Sequence, residues 1–159
     1  MANPGPSSVT TVNSGIALQP FNLPNSAAFP MTTNALRCIA ESRATPLSAL
    51  GDIAIPVNNS SSFVPTTIVV SNGLVNGVSA SVAAATLSIN SGAGVTGTSI
   101  RASSALTGQT STTVATVSAA TTTAVAIPIS TASPSIYINL TVAVAGGTVD
   151  IFVYGYDLS

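Results

Sequence analysis

Between residues 135 and 144 the side chains alternate without a break: Ile136, Ile138, Leu140, Val142 and Val144 interleave with Ser135, Tyr137, Asn139, Thr141 and Ala143. A helix would spread this pattern around its circumference. An extended chain puts every second side chain on one face, so the segment reads as a half-buried strand. Residues 148–154 repeat the pattern with Val149, Ile151 and Val153. Val125, Ile127 and Ile129 make a third strand, and Pro128, which cannot donate to a ladder, suggests an edge position. Ile53, Ile55 and Val57 make a fourth, with Pro56 on its opposite face. Weaker strands are expected over residues 36–40, 66–71, 86–90, 98–102 and 112–117.

Turn chemistry separates these segments. Asn72-Gly73 and Asn76-Gly77 are hairpin dipeptides, because a type I′ turn needs positive φ at both central residues. Ser91-Gly92-Ala93-Gly94 and Ala145-Gly146-Gly147 can reverse the chain for the same reason. Only residues 45–50 could form a single helical turn. Short strands with regular turn signals predict an all-β, antiparallel β-sandwich, jelly-roll or Greek-key-like, over residues 33–159.

Residues 1–32 differ from the rest. They hold Pro4, Pro6, Pro20, Pro24 and Pro30 and no charge, which disfavours helix and central strand alike. Yet Val9, Val12, Ile16, Leu18, Phe21, Leu23, Phe29 and Met31 make the segment too apolar for ordinary disordered chain. It is expected to be an extended N-terminal arm lying on a partner surface, or alternatively on its own domain.

Charge is nearly absent. The chain of 159 residues has three arginines, four carboxylates, no lysine and no histidine. Charged residues are 4% of the total, against roughly 25% in an ordinary soluble domain. Residues 102–149 carry none. Near-zero net charge favours association, so much of the surface should be covered by neighbours. Three scattered arginines exclude a phosphate-binding cluster, and no nucleic acid is expected as a partner. The apolar runs are too short for a spanning helix, and four Phe and three Tyr are too few for the aromatic girdles of a membrane barrel. Met1-Ala2-Asn3-Pro4 lacks a basic leader region, so no secretory signal is expected.

Catalysis lacks its usual groups. Nucleophilic serine or cysteine chemistry needs an adjacent base, and both histidine and lysine are missing. Gly92-Ala93-Gly94-Val95-Thr96-Gly97 matches the letters of a dinucleotide loop, but no helix pattern follows it and no acidic residue lies at the right distance. It reads as an inter-strand loop. Cys38 is the sole cysteine and is expected as a small buried thiol. Asp150 and Asp157 are expected to cap turns or meet arginine rather than bind calcium. The chain is expected to be no enzyme and to hold no cofactor or metal.

On the last strand, Asp150, Phe152 and Tyr154 face away from Val149, Ile151 and Val153, and Tyr156 follows. Tyrosine joins apolar area to a polar tip and favours interfaces. Phe152, Tyr154 and Tyr156 are therefore candidate interface residues, as are the arm residues Val9, Val12, Ile16, Leu18, Phe21, Leu23 and Phe29. A second layer or the chain's own arm covering the aromatics is the alternative.

Four stretches carry a resemblance: Thr66-Thr67-Ile68-Val69-Val70-Ser71-Asn72, Thr86-Leu87-Ser88-Ile89, the loop at 91–98, and Thr148-Val149-Asp150-Ile151-Phe152-Val153-Tyr154-Gly155-Tyr156-Asp157-Leu158-Ser159. Together they resemble the head decoration, or capsid cement, proteins of tailed bacteriophages. The resemblance covers about the last two-thirds of the chain and lies in style and ending, with no residue role to transfer. It implies a structural virion protein on the outer capsid surface, assembled in the host cytoplasm. Its implied partners are the major capsid protein and itself, as a homotrimer or homodimer. Its implied action is to stabilise the shell across capsid-protein subunits. The alternative is another virion part, such as a head fibre, tail or receptor-binding module.

Overall fold

A computed structural model of the chain describes residues 36–58, 60–121, 126–129 and 134–158. The arm predicted over residues 1–32 lies outside these. The described residues form strands and no helix. The strands are β1 (Leu36–Pro46), β2 (Gly51–Pro56), β3 (Ser62–Val75), β4 (Val78–Ser79) and β5 (Thr86–Gly92). There follow β6 (Thr96–Ala105), β7 (Ala115–Ala119), β8 (Ile127–Pro128), β9 (Ser135–Val142) and β10 (Gly147–Asp157).

Every pairing is antiparallel. One sheet has the order β2-β9-β5-β6. The other runs β1-β10-β3, and the far edge of β3 is shared by β8, β7 and β4. The chain passes from sheet to sheet as it winds, so β1-β10-β3-β7 faces β2-β9-β5-β6. This is the strand order of a jelly roll, the expected antiparallel sandwich.

The alternation read from the sequence sets the core. Ile136, Ile138 and Leu140 of β9 and Leu87, Ile89 and Ile100 of its neighbours are buried in one cluster with Ile39, Ile68, Val70, Val149, Ile151 and Val153 of the other sheet. Among the described residues Phe63 is the one aromatic in it. β-branched chains suit a pleated, half-buried surface, which is why valine and isoleucine suffice here.

Pro56 and Pro128 both sit on edge strands, where a missing N–H leaves no ladder bond unmade. Asn76-Gly77 forms the expected hairpin turn between β3 and β4, with φ of 52° and 80°. Asn72-Gly73 does not. It stays inside β3, where the two residues together oppose Val149 of β10 as a bulge, and Asn72 takes φ 56°. Pairing on both flanks of the bulge outweighs the local turn preference. The helical turn considered over 45–50 is absent: Thr45 and Pro46 end β1, and the chain then bends. The strand expected at 112–117 is shifted to Ala115–Ala119. Residues 110–113 instead form a turn, closed by the Thr113 N–H donating to the Thr110 carbonyl at 3.2 Å.

The GxGxxG-like stretch is the β5–β6 turn, with Val95, Gly94 and Gly97 at positive φ. Asp52 holds this turn from β2, on the other side of β9, accepting from the Gly94 N–H at 2.6 Å and from Asn139 Nδ2 at 2.7 Å.

Gly155 marks a close approach of backbone to backbone within the larger sheet. A β-bulge lies between Tyr154 and Gly155, and a Cβ on Gly155 would stand 2.5 Å from the Val64 carbonyl oxygen. Backbone cannot swing aside as a side chain can, so the sheet would have to open. Gly155→Ala is expected to destabilise the domain by about 1–3 kcal/mol. Thermal melting followed by far-UV circular dichroism should show a midpoint several degrees lower; an unchanged midpoint would contradict the tight approach.

Candidate protein interface

Strand β10 presents two unlike faces. Val149, Ile151 and Val153 are fully buried, while Asp150, Phe152 and Tyr154 between them are half-buried and Tyr156 is exposed. The three aromatics predicted from the sequence therefore share the outer face of the larger sheet. Register extends that face into rows across the strands. Tyr156 lies between Leu36 of β1 and Val64 of β3. Tyr154 lies between Cys38 and Thr67, and Thr67 in turn meets Ala119 of β7. Phe152 lies between Glu41 and Val69, and Val69 meets Val117. Leu36 is 56% exposed and Val117 69% exposed. The result is an apolar and aromatic field spanning four strands.

One end of the face is polar, and its polar groups bond to one another. Arg43 lies over the Phe152 ring at 5.1 Å, within cation–π range, while its Nε donates to Glu41 Oε1 at 2.7 Å. The Glu41 hydrogen bond holds the Arg43 guanidinium above its ordinary pKa. Asp150 ties its strand to both neighbours: Oδ1 accepts from the Ala44 N–H at 2.7 Å and Oδ2 from Asn72 Nδ2 at 3.2 Å. Ala44 has φ 50° and Asn72 φ 56°, so the carboxylate secures the irregular point of each neighbouring strand beside it.

The remaining charges are engaged in the same way. Arg37 donates from Nε and Nη2 to Asp157 Oδ2 at 2.8 and 2.6 Å, clipping the start of β1 to the end of β10. Ser60 Oγ donates to the other oxygen of Asp157. Arg101 Nη1 donates to the Leu87 carbonyl at 2.6 Å, and burial lowers its pKa. Each charged side chain of the protein thus makes a bond inside this domain. The expected roles of Asp150 and Asp157 match what forms: Asp157 meets an arginine and Asp150 caps irregular backbone.

Cys38, expected to be buried, is only half-buried on the outer face beside Tyr154. Burial, followed by the nearby Glu41 carboxylate, pushes its thiol up from the ordinary value. The thiolate is the nucleophile, so Cys38 should be alkylated by iodoacetamide more slowly than a free thiol at pH 8, with the rate still climbing at higher pH. A rate equal to that of glutathione at pH 8 would contradict the raised value. The same shift means that the thiol's stabilising contribution is complete below the unfolded pKa and is lost as pH rises through the folded one.

Val69, Val117 and Leu36 were not predicted as interface residues. Nothing local distinguishes a valine on an outer face from one in the core, and the β7 register could not be read while its start was misplaced. The arm residues Val9, Val12, Ile16, Leu18, Phe21, Leu23 and Phe29 lie outside the described residues. Among the described residues no group of His, Cys, Asp or Glu side chains could hold a metal ion. No helix among them is long and apolar enough to cross a membrane. No protein family, curated protein or solved structure matches this chain.

Proposed function

We propose that this chain is a structural virion protein that decorates a phage capsid and stabilises it by binding across major capsid protein subunits. The observation that carries this reading is the outer face of the larger sheet. There Tyr156, Tyr154 and Phe152 lead, through Thr67 and Val69, to Val117 and Ala119. The few charged side chains each make a bond within the domain, and the exposed pair Arg43–Glu41 sits at one end of this face. Tyr156 is 45% exposed and Phe152 and Tyr154 are half-buried, so a partner that covers them removes the rest of their aromatic surface from water and gains a few anchors. The likeness of residues 66–72, 86–89 and 148–159 to cement proteins points to a capsid as what covers them. Jelly rolls serve capsids and lectins alike, so the fold alone does not choose between them.

The mechanism is additive burial. A cement protein transfers apolar area from water onto a joint between two capsid subunits, and each copy makes separation of that joint costlier. Because the chain has only seven charged side chains and each is bonded within the domain, its binding should depend little on salt, unlike a contact built from surface ion pairs.

The test is co-sedimentation of the purified chain with expanded, undecorated capsids. Saturation at a fixed copy number is expected, together with a higher capsid melting temperature. Binding should persist at about 1 M salt, where the Debye length is only about 3 Å. Tyr154→Asp should abolish binding while leaving the domain folded. Deletion of residues 1–32 should give a folded domain that no longer binds, if the arm is the anchor. Protein that ignores capsids but binds host cells would replace this reading with a receptor-binding module.

A further inference from the structure

We propose that the open edge of β7 is a two-fold pairing surface for a second copy of this chain, the two β7 strands running antiparallel about Val117. This inference goes beyond capsid decoration and stands or falls separately from it.

The hydrogen-bond parity of β7 defines the edge. The Ala120 N–H donates to the Thr66 carbonyl at 2.9 Å, and the Asn72 N–H donates to the Val114 carbonyl at 3.3 Å. Even-numbered residues therefore turn their backbone polar groups towards β3. Ala115, Val117 and Ala119 turn theirs away, and among the described residues no strand pairs with that side. An uncovered row of N–H and C=O groups is a template for another strand.

Natural edge strands are usually blunted by lysine, proline, a bulge or a covering loop. β7 reads Ala-Thr-Val-Ser-Ala, with none of these residues, and its register on β3 is unbroken. The strand is also fixed in place. Gln109, fully buried, donates from Nε2 to the Val70 carbonyl at 2.7 Å and to Thr116 Oγ1 at 2.8 Å. Gln109 thereby pins β7 to β3 from the inner side.

The sequence of the edge suits its own copy. Antiparallel pairing about Val117 sets Val117 opposite Val117 and Ala115 opposite Ala119. Because the outward groups belong to these three residues, each facing pair is of the hydrogen-bonded kind. A two-fold axis places each residue near its own duplicate, so a charged edge would repel itself. Residues 102–149 contain no charge, and Val117 is flanked by small residues that permit close approach. Val117 also ends the outer-face row of Phe152 and Val69. Pairing would join that row to its duplicate and make one apolar strip across both protomers. A five-residue edge is smaller than a standard interface, so the dimer should depend on concentration.

The test uses full-length protein with Cys38→Ser as background. A hydrogen-bonded pair has Cα atoms about 5.5 Å apart, within disulfide reach. Val117→Cys should therefore cross-link rapidly under mild oxidation. Val95→Cys, on the β5–β6 turn of the other sheet and 55% exposed, should cross-link only slowly. In sedimentation velocity the wild type should show a concentration-dependent dimer, and Val117→Lys should weaken it by about tenfold or more with an unchanged melting midpoint. Equal cross-linking at 117 and 95, or a dimer unaffected by Val117→Lys, overturns the inference. So does a wild type that stays monomeric, which would leave β7 to a strand from another protein. A monomer that still binds capsids sinks this inference alone, while a dimer that ignores capsids sinks capsid decoration alone.

Discussion

The structure depends on one strand being paired on both edges at once. β10 lies between β1 and β3, so among the described residues the last strand joins the first to the longest. Its inward residues Val149, Ile151 and Val153 are fully buried against the opposite sheet. Its carboxylates sit near its two ends: Asp157 takes Arg37, and Asp150 takes the Ala44 N–H and the Asn72 amide. These bonds connect residues more than seventy positions apart, so the sheet cannot close until most of the chain has been placed. Fold and outer face are thus consequences of the same strand.

That arrangement explains how so little charge can be tolerated. In most soluble domains charged side chains hydrate the surface. Here Arg37, Asp157, Asp150, Asp52 and Arg101 hold bulges, turns and strand ends in register. The aromatic face of Tyr156, Tyr154 and Phe152 is left without a charged rim at its apolar end. Water is a poor solvent for such a surface, and covering it with another protein gains what the core of small side chains does not supply.

The sandwich also leaves edges that a closed barrel would not have. β2 carries Pro56, and β8 carries Pro128, so two of the strands lying at an edge are protected by proline. β7 has no such protection. Its edge and the aromatic face meet at Val117, which places backbone pairing and apolar burial side by side on one surface.

Local pattern determined much of this protein. The alternation over residues 135–144 and 148–154 located β9 and β10 and the buried face of each as far as Leu140 and Val153, because period two admits only one assignment of faces once one side is apolar. Beyond Leu140 the register shifts, β9 ends at Val142, and Val142 is 47% exposed. The same reasoning put Phe152, Tyr154 and Tyr156 together outside the core, and Pro128 marked its short strand as an edge. Tertiary pairing decided the rest. Asn72-Gly73 has the composition of a turn yet remains in β3, because β10 pairs on both sides of it. β7 begins three residues later than its valines and threonines suggest, because the Thr110–Thr113 turn and the buried Gln109 set where it can meet β3. Val69 and Val117 look like core residues in the sequence. They lie on the outer face because β10 sets Phe152 beside Val69 of β3 and β3 in turn sets Val69 beside Val117 of β7, and register is a property of strands in contact rather than of any one segment.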